Sequence, residues 1–139
     1  MLVVIAVIDG MGGGIGNQVV SHLRQELSSS VEIIVLGTNA IATGNMMKAQ
    51  ANRGATGENA IRVSVREADI IIGPLAIVIP NSMMGEITPI MSEAIASCSA
   101  YKILLPVSPT NMDIVGIEGR PLFLSIKDVI QKVKEKMTE

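Results

Sequence analysis

Leu2 to Ile8 is apolar at every position, ends on Asp9, and opens at once into Gly10-Met11-Gly12-Gly13-Gly14-Ile15-Gly16. A strand with no polar position has both faces buried, as in the middle of a parallel sheet. The residues after the glycines predict a helix over Gly14–Leu27, with Val19, Val20, Leu23 and Leu27 on one face. Strand, glycine turn and helix in that order form the opening unit of an α/β domain.

The alternation continues along the chain. Ser28-Ser29-Ser30 closes the helix, and Val31–Leu36 reads as a second buried strand. Thr38 to about Asn52 reads as a helix weakened by Gly44. Gly54–Asp69 fits a helix capped by Thr56, with Ile61, Val65 and Ala68 turned inward. Alternation of Ile61, Val63 and Val65 with Arg62, Ser64 and Arg66 also fits a strand, but the buried strand Asp69–Gly73 follows directly and favours the helix. Ala76–Ile79 reads as a short strand or extended loop. Thr88-Pro89 opens a helix to Ser97, and Lys102–Val107 is the fourth main strand. Asp113–Leu122, around Glu118-Gly119, reads as a small C-terminal hairpin. Ser125-Ile126-Lys127-Asp128 reads as a capping box for a last helix whose inner stripe is Ile126, Val129, Ile130, Val133 and Met137. The 139 residues form one α/β domain, a three-layer sandwich with a mostly parallel sheet and helices on both sides. Ligands in such folds bind beyond the carboxyl ends of the strands, and 3-2-1-4-5 is the usual strand order.

Composition narrows the partners. Eleven basic and thirteen acidic residues, net charge -2, provide no basic face for nucleic acid. With no Trp, one Tyr and one Phe there is no base-stacking platform. Cys98 is the one cysteine, so no intrachain disulfide forms, which fits a reducing cytoplasm. It shares an apolar face with Ile87, Met91, Ala94 and Ile95 and reads as core. The start MLVVIAVIDG lacks the marks of a signal peptide, and Ile70–Pro80 is too short and broken to span a membrane. His22 and Cys98 alone make no zinc set, and the pairs Met46-Met47 and Met83-Met84 read as core filling rather than soft-metal ligands. A mean hydropathy of +0.47 points to apolar surface covered in a homo-oligomer.

The glycine loop carries the functional signal. Glycines at a strand-to-helix turn let a phosphate approach the backbone, where free N–H groups and the helix dipole attract it. The spacing G-x-G-x-x-G fails because Ile15 stands where the third glycine would fall, and no Lys-Ser or Lys-Thr completes a P-loop. Gly10, Gly14, Ile15 and Gly16 do fit G-x-x-x-G-I-G, which resembles the cofactor loop of short-chain dehydrogenases. The chain departs from that family in having Asp9 at the strand end, Gly37-Thr38-Asn39 with no acid for a ribose, and no Tyr-x-x-x-Lys. Asp9 would either brace the loop or help hold a divalent cation. The expected cofactor-binding residues are Gly10, Met11, Gly12, Gly13, Gly14, Ile15, Thr38, Asn39, Asn81 and Ser82. Candidate ligands are a dinucleotide (NAD or NADP), another nucleotide, or a simple phosphate ester. Thr56, Asn59, Thr110 and Asn111 join the polar residues of the same edge, and Asp9, Glu58 and Glu86 are the acids available for acid–base work.

The segments IDGMGGGIG (8–16), LGTNAIAT (36–43), GATGENAI (54–61), DIIIGP (69–74), NSMMGEITP (81–89) and KILLPV (102–107) together resemble a family of bacterial proteins of about this length, catalogued as a domain of unknown function. The resemblance implies a small, cytoplasmic, Rossmann-like protein and supplies no activity or ligand. Three readings stay open: a small-molecule-binding protein for a nucleotide or other phosphate ligand; a small enzyme on a phosphate-containing metabolite, metal-assisted, using Asp9, Glu58 or Glu86; and a purely structural homo-oligomer.

Overall fold

A computed structural model describes residues 2–107, 111–117 and 119–139. Its elements are β1 (Val3–Asp9), α1 (Gly14–Leu27), β2 (Val31–Gly37), α2 (Ala40–Met47), β3 (Arg53–Thr56), α3 (Glu58–Ser64), β4 (Ile70–Pro74), α4 (Pro89–Ser97), β5 (Tyr101–Leu105) and α5 (Leu122–Met137). The strands form one sheet in the order β3-β2-β1-β4-β5, with every pairing parallel. This is a Rossmann-like α/β domain, with the direction of winding reversing between β1 and β4.

The unbroken apolar runs now have their reason. On β1, Ile5 and Val7 face one core while Ala6 and Ile8 face the other. On β2, Ile33 and Val35 share the first core with α1 and α5, and Ile34 and Leu36 share the second with α3 and α4. Both faces of these central positions pack on apolar side chains, which is why the runs carry no polar residue there. Among the described residues, no helix is long and apolar enough to cross a membrane.

Several elements differ from the sequence expectation. Residues 53–69 hold both a strand and a helix. Arg53–Thr56 pairs with Ile34–Gly37 at the sheet edge, and α3 starts after Gly57, whose φ of 102° and lack of a capping side chain replace the expected Thr56 cap. Helix α2 is shorter than expected, starting at Ala40 behind Asn39 and ending near Met47. Past its end Gln50 takes φ 77°, and Asn52 turns back to accept the Ile33 N–H at 2.7 Å. Leu75–Val78 is a 3-10 turn, not a strand.

The hairpin expected over Asp113–Leu122 is absent among the described residues; Glu118 and Thr110 lie outside them. Gly116 takes φ 97°, which bends the chain where a hairpin arm would need extended backbone. Helix α5 begins one turn before the expected capping box. Pro121 precedes it, Leu122 packs on the core, and Ser125 lies buried inside the helix instead of capping it.

Candidate functional site

Beyond the carboxyl ends of β1 and β4 lies a cavity of about 870 Å³. One wall is the loop from Asp9 to Ile15. The others are Pro74 at the end of β4 and Ala76 just after it, Asn81–Met84, and Val107 and Asn111 after β5. That volume suits a metabolite-sized ligand.

Asp9 organises the loop. Its side chain is buried, Oδ1 accepts the Gly10 N–H at 2.8 Å, and Oδ2 accepts the Gly16 N–H at 2.8 Å. Of the two roles expected for Asp9, bracing is the one seen. Among the described residues no group of three or more His, Cys, Asp or Glu side chains could hold a metal ion. Burial pushes the Asp9 carboxyl above its ordinary range; the two N–H groups pull it back, and the nearby charge of Glu86 adds to the rise.

The five glycines of 10–14 and 16 divide by what a side chain would meet. A Cβ on Gly10 would lie 2.7 Å from both Met83 Sδ and Thr38 Oγ1. One on Gly16 would lie 2.3 Å from Met46 Sδ, and Gly13 combines φ 74° with backbone of Ala42 at 2.7 Å. Gly12 and Gly14 need no left-handed φ, and a Cβ on either would face open space. The backbone N–H groups of Gly12, Gly14 and Ile15 have no hydrogen-bond partner among the described residues, whereas Gly13 N–H donates to Gly10 O and Asn17 N–H to Gly13 O. Three donors therefore cluster at the start of α1, where the helix dipole is positive.

Glu86 ties the other side of the loop. Its Oε1 accepts from Met11 N–H at 2.9 Å, Thr38 Oγ1 at 2.5 Å and Asn39 Nδ2 at 3.0 Å. The Thr38 hydroxyl foremost, with the Met11 and Asn39 donors, holds the Glu86 carboxyl below its ordinary range against the opposing effect of burial. Asn39 also caps α2 by accepting the Ala42 N–H at 2.9 Å and donates to Met11 O at 2.9 Å. Glu86 sits on a contorted loop: Asn81, Met83, Met84 and Gly85 take φ of 65°, 57°, 56° and 91°.

The structure thus brings Gly10–Ile15, Asn81 and Ser82 to the cavity together with Asp9, and leaves Thr38 and Asn39 outside its lining. These two were expected to touch a cofactor; Glu86 occupies their side chains instead. Ser82 lines the cavity, but its hydroxyl lies 2.6 Å from Ala76 O and 2.8 Å from Ile79 O, so its one proton is committed to backbone. Glu58 does not line the cavity and accepts from Thr88 Oγ1 at 2.6 Å, joining α3 to α4. Thr56 donates to Thr43 Oγ1, Asn59 accepts from Arg62, and His22 Nδ1 lies 2.8 Å from Gln18 O on α1. Cys98 follows α4 and packs on the second core. Pro74, Ala76, Met83 and Val107 were missed as walls. The Asn81–Gly85 turn residues flagged a loop, but no local signal says that Met83 folds back over Gly10.

The model of the family described as "Domain of unknown function (DUF3842)" matches residues 4–138. The chain belongs to that family. A search of curated proteins found no match. Membership in DUF3842 assigns no chemistry, so the functional reading of this DUF3842 chain rests on the cavity and its loop.

Proposed function

We propose that the protein binds a small molecule through a phosphate group seated on the N–H groups of Gly12, Gly14 and Ile15, with the rest of the ligand in the cavity. The observation that carries this reading is the openness at Gly12 and Gly14. Packing and backbone conformation account for Gly10, Gly13 and Gly16, yet nothing inside the protein requires glycine at 12 or 14. Their missing side chains keep three unpartnered donors accessible from the cavity.

The same geometry favours binding over acid–base chemistry. Both oxygens of Asp9 accept backbone N–H groups, Glu86 Oε1 accepts three donors, and Glu58 stands elsewhere.

The test is thermal unfolding, followed by circular dichroism, against a panel of nucleotides and phosphate esters with and without magnesium. A ligand at a hundred times its dissociation constant adds about 2.7 kcal/mol, a rise of roughly 5–10 °C for a domain of this size. Gly12→Ala and Gly14→Ala are expected to leave the unliganded protein as stable as before, or up to about 1 kcal/mol more stable, while abolishing the ligand shift. A full ligand shift in both variants, or no shift for any compound with the wild type, contradicts the reading.

A further inference from the structure

We infer that the site accepts a single phosphate on an apolar body and rejects adenosine dinucleotides, with Glu86 as the residue that sets this choice. The inference rests on the phosphate reading above and adds the class of ligand.

In dinucleotide-binding α/β domains the pyrophosphate sits on the glycine loop, and the adenosine ribose lies over the end of the second strand, where a side chain grips its hydroxyls. Here that place is filled from within. Thr38 and Asn39, the residues following β2, both spend their donors on Glu86 Oε1, at 2.5 and 3.0 Å. The Met11 N–H points to the same oxygen at 2.9 Å. The face of Gly10 on this side is closed as well: the position a Cβ would take lies 2.7 Å from Met83 Sδ, 2.7 Å from Thr38 Oγ1 and 3.0 Å from Glu86 Oε1. A ribose placed there would meet the Glu86 side chain and could use Thr38 or Asn39 only by breaking their hydrogen bonds to it.

The donors point the same way. Among the described residues no Lys or Arg lines the cavity. A phosphate monoester near pH 7 carries close to two negative charges, about as many as the pyrophosphate of a dinucleotide, so net charge does not separate the two. The three clustered N–H groups of Gly12, Gly14 and Ile15 match the oxygens of one phosphate rather than of two linked ones. The opposite wall, with Pro74, Ala76, Met83, Met84 and Val107, offers apolar contact to the remainder of the ligand.

Binding of hexyl phosphate and of NAD to the wild type, each followed by thermal unfolding and by titration calorimetry, tests this. Hexyl phosphate is expected to bind more tightly than NAD by at least about tenfold, or 1.4 kcal/mol. In Glu86→Ala that ratio is expected to fall at least about tenfold. Should Glu86→Ala not fold, Thr38→Val removes one of the three donors and shifts the ratio in the same direction. NAD binding as tight as hexyl phosphate in the wild type overturns the inference and leaves the phosphate reading standing. So does a ratio unchanged in both variants. Binding of neither compound overturns the inference together with the phosphate reading.

Discussion

Asp9 and Glu86 hold the two sides of one loop with opposite electrostatics. Asp9 is held above its ordinary value of 3.8, chiefly by burial, so the fold binds its proton more tightly than the unfolded chain does. Its contribution to stability is therefore full below 3.8 and is lost as pH rises through the raised value. Glu86 is held below its ordinary value of 4.5, chiefly by the Thr38 hydroxyl. Its contribution is present above 4.5 and is lost as pH falls through the lowered value. Urea midpoints of the wild type, Asp9→Asn and Glu86→Gln across the acid range test both signs. Asp9→Asn should gain on the wild type as pH rises from below 3.8, and Glu86→Gln should lose ground as pH rises toward and past 4.5. Differences that stay flat across the range contradict the assignment. Bracing of the loop was one of two roles the sequence left open for Asp9, because it sits next to the glycines. Glu86 was visible only as a loop acid, since its partners Thr38 and Asn39 are 48 and 47 positions away.

Helix ends and loops carry the next layer. Asn39 caps α2 and also reaches Met11 and Glu86, so it couples the start of a helix to the glycine loop. Asn39→Ala should cost about 1–2 kcal/mol in urea unfolding, the upper range for loss of a cap; a cost below about 0.3 kcal/mol would show that these bonds do not hold the helix start. Elements with strong apolar periodicity matched their sequence reading. Helix α1 spans Gly14–Leu27 as expected because its glycines and its apolar stripe fix both ends. The short strand β3 escaped because Arg53-Gly54-Ala55-Thr56 has no apolar alternation. It lies at an exposed edge, where a short charged strand is tolerated. The start of α5 was misplaced because Ser125 and Asp128 imitate a cap, whereas the buried stripe runs back to Leu122.

For the domain as a unit, the alternation of apolar runs and helical stripes was enough to place four of the five parallel strands, the two cores and the edge at the carboxyl ends where a ligand was expected. The position of the cavity relative to β2 was not readable, because it depends on how residues 80–87 fold back over Gly10. That fold-back divides the edge into a closed side at β2 and an open side at β4 and β5, and the open side is where the account puts the ligand. The most direct measurement is a two-dimensional amide NMR titration of the wild type with hexyl phosphate. Saturable shifts are expected at the amides of Gly12, Gly14 and Ile15, accompanied by Ala76 and Met83 in the cavity wall. Shifts confined to other regions, or none at millimolar hexyl phosphate, would contradict this placement of the ligand.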